Sequence, residues 1–241
     1  MTKAAIVTGA SRGMGKGIAL ALAKLNYQVI LIARNLEKLK QTAKEITEQG
    51  HPNPLFYSVN VENEKEVNHA LQDALKKTKK IDVLVTAAGI LFPGTTDLSS
   101  ENFQKTLEVN ILGTFHCIKA VINSMKAQRS GHIINVASRA GKVGIEKLGG
   151  YCASKFGIMG LNDSLALEMA KFGINVTALC PGFTDTDMAA GGNIPKEERI
   201  PISDITKVIE FLLSLSPQSI VREVTLECRK TIVLATSPSH E

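Results

Sequence analysis

The sequence has no tryptophan, and aromatic residues make up only 5% of its 241 residues. Lysine and arginine outnumber the acids by 28 to 23, but the two signs are interleaved and form no basic stripe. Proteins that bind nucleic acids typically combine such a stripe with aromatic side chains that stack on bases. The composition therefore disfavours a nucleic-acid-binding module.

Long apolar runs are also missing. The strongest ones, such as residues 29–33 and 205–215, are too short or too interrupted to cross a bilayer, which needs roughly 20 apolar residues. The N-terminal residues lead directly into an apolar strand and a glycine-rich turn, without the regions of a secretory signal. We therefore expect a cytoplasmic protein.

The four cysteines, Cys117, Cys152, Cys180 and Cys228, have no CxxC or metal-type spacing. Their neighbours are mostly apolar, which is typical of free, buried thiols in a reducing compartment. We predict that all four pack in the core and that the protein has no metal site. No repeat or low-complexity segment divides the chain, so we expect a single domain over residues 1–241.

Short β-branched runs alternate with amphipathic segments of helix length. The runs are nearly continuous in apolar character, as are strands that are covered on both faces. This alternation predicts an α/β fold with a parallel sheet and helical crossovers. Strands are expected at residues 3–8, 29–33, 55–61, 82–86, 132–137, 174–180 and 224–228, and the first helices at 13–25, 35–49 and 62–78.

Residues 99–125 carry apolar side chains at steps of three and four, after a cap-like Ser-Ser-Glu-Asn cluster. We interpret this segment as one long helix with a core-facing stripe. The stripe consists of Phe103, Leu107, Ile111, Phe115, Ile118, Ile122 and Met125.

The pattern breaks at about residues 185–202, where Gly191, Gly192 and Pro195 precede a charged run. A surface segment of this length between regular elements is typical of a mobile functional loop. We expect it to act as a substrate lid.

A glycine-rich turn follows the first predicted strand. Its sequence, Thr-Gly-Ala-Ser-Arg-Gly-Met-Gly at residues 8–15, spaces Gly9, Gly13 and Gly15 for a tight turn that points backbone N–H groups from a helix N-terminus. Between a strand and a helix, and with another strand to follow, this turn is typical of a dinucleotide pyrophosphate site. An ordinary strand-to-helix turn is the alternative.

The end of the second predicted strand indicates which dinucleotide binds. Sites for NAD(H), which lacks the 2′-phosphate, usually have an acid there that binds the ribose 2′-hydroxyl. This strand instead ends Ile-Ala-Arg, at Arg34. A guanidinium pairs with phosphate oxygens through two N–H groups. Arg34 and Arg12 therefore favour NADP(H), unless Arg34 merely begins the next helix.

Ser138 follows the fifth predicted strand, and Tyr151 and Lys155 follow in a Tyr-Cys-Ala-Ser-Lys segment that opens a helix. Their i, i+4 spacing puts the phenol and the ammonium on one face, where the ammonium is expected to lower the pKa of the phenol. Such a tyrosine exchanges a proton with a substrate oxygen that a serine hydroxyl also binds. A YxxxK pair alone is commonly structural, but here it occurs in order with the glycine loop, the serine and Pro181-Gly182.

Over residues 3–229 this set of motifs resembles the short-chain dehydrogenase/reductase family. The resemblance implies a single Rossmann domain whose seven parallel strands have the order 3-2-1-4-5-6-7. It implies Asn110, Ser138, Tyr151 and Lys155 as catalytic residues, Asn110 through a water that connects the lysine to a proton relay. The implied cofactor-binding residues are Gly9, Ser11, Arg12, Gly13, Met14, Gly15, Arg34, Asn60, Val61, Ala88, Gly89, Tyr151, Lys155, Pro181, Gly182, Thr184 and Thr186.

The activity that the resemblance implies is NADPH-dependent reduction of a carbonyl, with Tyr151 as the proton donor. The substrate would be a 3-oxoacyl thioester on an acyl carrier protein or a small ketone. An NADP-dependent alcohol dehydrogenase acting oxidatively and a non-catalytic dinucleotide sensor are the alternatives, and the sensor has no need of the catalytic set. The substrate pocket is expected near residues 90–92, 139–150 and 188–190 and Phe183. Lys142 and Lys147 near its rim either attract an anionic group or, as exposed lysines more often do, only face solvent.

The resemblance also implies a homodimer or homotetramer with contacts through residues 99–125 and 151–171. Three positions depart from the family pattern. Thr86 stands where the family has an asparagine that stabilises the central sheet, and Asn60 stands in place of an aspartate that contacts adenine. The last strand lacks the glycine pair before a tail that seals the neighbouring subunit, which weakens the expectation of a tetramer.

Overall fold

The protein contains one seven-stranded parallel sheet, and the structure, a computed structural model, describes residues 2–189 and 193–236. The strand order is β3-β2-β1-β4-β5-β6-β7, which confirms the Rossmann topology that the resemblance implies. Each strand lies within three residues of its predicted bounds. The strands are β1 (Ala4–Thr8), β2 (Gln28–Ala33), β3 (Leu55–Ser58), β4 (Val83–Thr86), β5 (Gly131–Val136), β6 (Ile174–Pro181) and β7 (Glu223–Leu226).

Helices cover both faces of the sheet because successive residues of each strand point to opposite sides. The helices are α1 (Gly13–Lys24), α2 (Leu36–Glu48), α3 (Glu64–Thr78), α4 (Ser100–Leu107), α5 (Gly113–Gln128), α6 (Gly149–Met169), α7 (Ile202–Ser214) and α8 (Arg229–Thr236). In β1, Ala5 and Val7 pack on one side with α1, α2 and α7, while Ala4 and Ile6 pack on the other with α3, α5 and α6. Helix α8 has no counterpart among the predicted elements.

Residues 100–128 are helical without a break, as predicted, but the expectation that the whole apolar stripe over residues 99–125 is buried is wrong. A π-helical turn, Glu108–Leu112, separates α4 from α5. Since a π turn changes the helical repeat, apolar positions at steps of three and four do not stay on one face across it. Met125 is fully buried, but Phe103 and Phe115 remain 40% and 43% exposed.

The four cysteines are free and buried, as predicted. Within the described ranges, no helix has the length and apolar character needed to cross a membrane. Of the expected lid, Ala190, Gly191 and Gly192 lie outside the described residues. Its two stems pair with each other, because Ile200 donates its N–H to Phe183 O and Asp185 donates to Ile200 O, each at 2.9 Å. Its role as a lid stays a prediction.

Candidate active site

Two adjoining clefts open at the carboxyl ends of the central strands, where open α/β sheets bind their ligands. The larger has a volume of about 380 Å³ and reaches from the glycine turn to the end of β3. The smaller, of about 280 Å³, lies over the ends of β5 and β6. The walls of both clefts include Met14, Ala87, Gly89, Thr186 and Met188, so a ligand in one would meet a ligand in the other.

The turn between β1 and α1 has the geometry that a pyrophosphate cradle requires. Gly9 has a φ of 68° and Gly13 a φ of 54°, which are left-handed values that side chains disfavour. A Cβ atom at Gly15 would collide with the Gly9 carbonyl oxygen. The turn therefore depends on glycine, and the free N–H groups at the start of α1 are left accessible to an anion. These residues fit a dinucleotide.

Every predicted cofactor-binding residue lines one of the two clefts. The larger cleft contains those of the glycine turn and of the ends of β2, β3 and β4, together with Thr186. The smaller cleft contains Tyr151, Lys155, Pro181, Gly182 and Thr184. The structure thus places these residues together, and their contacts with a cofactor stay a prediction.

The basic residues of the larger cleft differ in how they are engaged. Arg12 forms an exposed ion pair with Asp187, with Nη1 and Oδ2 3.3 Å apart. Arg34 lies at the end of β2, and Lys38, one helical turn farther on, lines the same cleft. We did not predict Lys38, although its i+4 spacing from Arg34 at the start of α2 is a readable signal.

Two threonines, Thr8 and Thr86, form hydrogen bonds at the end of β4, where Thr86 replaces the asparagine of the family pattern. The Thr8 hydroxyl accepts hydrogen bonds from the N–H groups of Ala87 and Ala88, both at 3.0 Å. Thr86 donates to Asn135 Oδ1 at 2.9 Å, and Asn135 donates to Asn162 Oδ1 at 3.1 Å. The buried polar chain that results ties β4 to β5 and α6.

Asn60 lies in the larger cleft, two residues beyond the end of β3. Its side chain already has local partners, since Oδ1 accepts from the Glu62 N–H at 3.4 Å and Nδ2 donates to Glu62 Oε2 at 3.3 Å. A contact with adenine would compete with these weak bonds.

Ser138, Tyr151 and Lys155 all line the smaller cleft. Ser138 begins a turn of 3₁₀ helix, Arg139–Gly141, and its Oγ accepts from the Ala140 N–H at 3.1 Å. Tyr151 and Lys155 lie on the first turns of α6 and are buried. The Lys155 ammonium donates to the Val136 carbonyl at 2.8 Å and lies 5.6 Å from the centre of the Tyr151 ring.

The structure contradicts the expectation that Lys155 lowers the pKa of Tyr151. Burial raises the pKa of Tyr151 to about 12, and the Ser138 hydroxyl offsets only part of this rise. Burial also lowers the pKa of Lys155 to about 8. The ammonium is bonded to a backbone carbonyl, so desolvation dominates both groups. At neutral pH the phenol is protonated, and most of the lysine is charged.

Asn110 lies in the π-helical turn, is buried, and lines neither cleft. Its side-chain oxygen accepts from the Ile90 N–H at 2.9 Å, and its Nδ2 donates to Ile90 O at 3.0 Å and to Ser154 Oγ at 2.9 Å. The side chain therefore joins the loop after β4 to α6. The water-mediated role stays a prediction.

The smaller cleft has mostly apolar walls, as expected. Among its predicted lining residues, Ile90 instead faces the larger cleft, and neither Phe92 nor the lysines at 142 and 147 line the smaller one. Ala190 lies outside the described residues. Thr231 of α8 forms part of the wall, which the sequence did not indicate.

Of the two interpretations of Lys142 and Lys147, the structure does not support a basic rim of the cleft, because neither side chain lines it. Lys142 Nζ lies 2.5 Å from Glu223 Oε1, and Lys147 is 79% exposed beside Glu146.

Comparison with known proteins agrees with this geometry. The chain is 36% identical over 230 residues to a 3-oxoacyl-[acyl-carrier-protein] reductase of Staphylococcus aureus, covering 89% of this chain and 92% of that protein. It superposes with a TM-score of 0.86 on a beta-ketoacyl-[ACP] reductase of Bacteroides thetaiotaomicron, at 34% identity, covering 97% of this chain and all of the other.

A second solved structure is an alcohol dehydrogenase of Thermococcus sibiricus complexed with 5-hydroxy-NADP. It has a TM-score of 0.87 and 30% identity, and the match covers 95% of this chain and 97% of that one. The family model for short chain dehydrogenases matches residues 3–196. The chain therefore belongs to the short-chain dehydrogenase family of oxidoreductases.

Proposed function

We propose that this protein is an NADPH-dependent carbonyl reductase. The observation that carries the proposal is that Ser138, Tyr151 and Lys155 line a largely apolar cleft that adjoins the cleft of the glycine turn. Relatives named as carbonyl reductases and a neighbour complexed with an NADP derivative support it.

The cofactor would lie along the larger cleft. Its pyrophosphate would be held by the N–H groups of the glycine turn, and a 2′-phosphate would lie among Arg34, Arg12 and Lys38. The nicotinamide end would meet Thr186 and the Pro181-Gly182 turn, within reach of the smaller cleft. When bound, NADPH supplies the hydride for the carbonyl carbon.

The protein groups act on the substrate oxygen. Tyr151 Oη donates its proton to this oxygen as negative charge develops there, and Ser138 Oγ donates a hydrogen bond to it. In the resting protein desolvation outweighs any effect of Lys155 on the phenol. The Lys155 ammonium lies 5.6 Å from the centre of the ring and would offset part of the charge on the phenolate that is left. The raised pKa of Tyr151 keeps the phenol protonated at neutral pH, which suits the reductive direction better than the oxidative one.

A 3-oxoacyl thioester on an acyl carrier protein is our first candidate substrate, because two of the relatives are named for that activity. The test is NADPH consumption, with NADH in parallel, against a 3-oxoacyl thioester, simple ketones, a diketone, a quinone and a steroid ketone. Turnover with NADPH supports the reductase. If the protein binds NADPH, reduces no member of the panel and instead oxidises the matching alcohols, the oxidative alternative replaces it.

We further propose that the protein forms a homo-oligomer through α4, α5 and α6. Large apolar side chains are exposed on these helices and on the π turn, and monomers rarely leave such patches open. The exposed residues are Phe103, Leu112, Phe115, Phe156 and Leu167. A dimer or tetramer in light scattering supports this assembly, and a monomer at micromolar concentration contradicts it.

A further inference from the structure

Arg139 brings a positive charge into the substrate cleft, directly after Ser138. It lines the smaller cleft together with Tyr151 and Lys155, and no aspartate or glutamate lines that cleft among the residues that the structure describes. The remaining walls are apolar or uncharged. A guanidinium in such surroundings favours an anionic ligand, because opposite charge attracts more strongly where water is excluded.

The bonding of Arg139 within the protein is incomplete. Its Nε is buried and has no hydrogen-bond partner in the part of the chain that the structure describes. The nearest acid, Glu227, places Oε2 3.4 Å from Nε, which is an ion-pair distance without hydrogen-bond geometry. The two side chains keep 29% and 37% of their surfaces exposed. The guanidinium is thus only partly neutralised. Its Nε is out of reach of a ligand, but its Nη groups make no hydrogen bond among the described residues and can donate to one.

Lys142 provides the contrast. It follows Arg139 by three residues but lies outside the cleft lining, and its ammonium donates to Glu223 Oε1 at 2.5 Å. This bond raises the pKa of Lys142 and lowers that of Glu223. Both partners are therefore engaged with each other, whereas the donors of Arg139 are not.

We propose that Arg139 binds a carboxylate of the substrate, so that the cleft takes small oxo acids in preference to neutral ketones or esters. This inference rests on the proposed reductase function and names its substrate class: small oxo acids replace the 3-oxoacyl thioester, whose acyl group carries no carboxylate, as the first candidate. A guanidinium forms two parallel hydrogen bonds with a carboxylate, which fixes orientation as well as contributing affinity. The pairing of the substrate carboxylate with Arg139 would then position the reacting carbonyl next to Ser138 and Tyr151.

The test compares a matched acid and ester, acetoacetate and methyl acetoacetate, as substrates with NADPH. We expect the native protein to favour the acid by about tenfold or more in kcat/KM, as expected for a charge-assisted hydrogen-bonded pair. Arg139→Gln should abolish this preference, mainly through the KM of the acid, and Arg139→Lys should keep part of it. Glu227→Gln should increase the preference, because it removes the competing carboxylate.

Lys142→Gln is the matched control, since it removes a neighbouring positive charge outside the cleft and should leave the preference unchanged. The inference is overturned if the ratio of kcat/KM for the acid to kcat/KM for the ester is the same in the native protein and in Arg139→Gln. Circular dichroism must show that both proteins are folded. If neither compound is reduced, binding alone tests the site. The measurement is the shift in melting temperature caused by butyrate, compared with the shift caused by butyramide, its uncharged analogue. If butyrate shifts the melting temperature of the native protein but not that of Arg139→Gln, the carboxylate site is supported even if the reductase proposal fails. If butyrate shifts both proteins equally, the site is overturned.

Discussion

The side chain of Asn110 donates a hydrogen bond to Ser154 Oγ at 2.9 Å, and Ser154 in turn donates to the Tyr151 carbonyl at 2.7 Å. The π-helical turn is thereby joined to the backbone of the residue that we propose as proton donor. Because Asn110 also holds both backbone groups of Ile90, a single buried amide connects the loop after β4 with the first turn of α6.

Asn110→Ala is therefore expected to destabilise the protein by about 1–3 kcal/mol, because it leaves two half-buried backbone groups of Ile90 without their partner. Denaturant unfolding measures this loss. Ser154→Ala is the matched control, because it removes both bonds of the Ser154 hydroxyl but leaves the two backbone groups of Ile90 satisfied, and its effect should be clearly smaller. Equal losses in the two variants would contradict this assignment.

Tyr151→Phe should lower turnover with NADPH by roughly 10²- to 10⁴-fold, since a positioned acid typically contributes that much. The phenyl ring preserves the packing, so NADPH binding, followed by fluorescence titration, should stay within a few-fold of the native value. Turnover within a few-fold of native would remove Tyr151 as the proton donor.

The pH dependence should be determined by Lys155 rather than by Tyr151. The folded protein releases the lysine proton near pH 8, whereas the usual pKa is 10.5. Reductive kcat/KM should therefore fall as pH rises through about 8. Between these two values the unfolded chain binds the extra proton, so this group makes the folded state more stable as pH rises.

The measurement is a profile of kcat/KM from pH 6 to 10 for the native protein and for Lys155→Arg. Arginine keeps its charge throughout this range. Any residual activity of the variant should lack the decline near pH 8. A decline at the same pH in both proteins would assign it to another group.

Cofactor preference should depend on the positive charges at the end of β2. Arg34→Asp should reverse the preference from NADPH to NADH, because a carboxylate repels the 2′-phosphate and accepts a hydrogen bond from a free 2′-hydroxyl. Lys38→Gln should weaken the binding of NADPH and leave the binding of NADH unchanged.

Lys40 serves as the control for these variants. It lies on α2, as Lys38 does, but does not line the larger cleft. Its Nζ lies 2.8 Å from Glu37 Oε1. Lys40→Gln should leave the ratio of the two Kd values unchanged. Equal native affinities for NADPH and NADH would refute the role of these charges.

Two glycine substitutions should act in opposite directions. A Cβ at Gly15 would strike the Gly9 carbonyl, so Gly15→Ala should distort the turn and abolish dinucleotide binding. Gly160 lies inside α6, where an added Cβ would meet no atom within 4 Å outside its own helix turn, and Gly160→Ala should stabilise the protein by about 1 kcal/mol. Calorimetry and NADPH titration distinguish the two, and normal binding by Gly15→Ala would contradict the cradle.

The strands and the glycine turn could be predicted because their signals are local: apolar runs of strand length, and glycines at fixed spacing. The exposure of Phe103 and Phe115 could not be predicted, because steps of three and four show that apolar residues share a face but not whether that face packs on the sheet. The raised pKa of Tyr151 was missed for a related reason. Spacing places an ammonium near a phenol, but only the folded protein shows how little water reaches either group.

The strand order has a consequence for how the chain is synthesised. β1 lies between β2 and β4, yet β4 begins only at Val83. Until that segment leaves the ribosome, one edge of the apolar strand β1 has no partner, and an unpaired edge is a template for pairing with other chains. Because such non-local pairing also forms slowly, the nascent chain carries an open edge of β1 beside the completed β2–β3 pair for as long as it ends between β3 and β4.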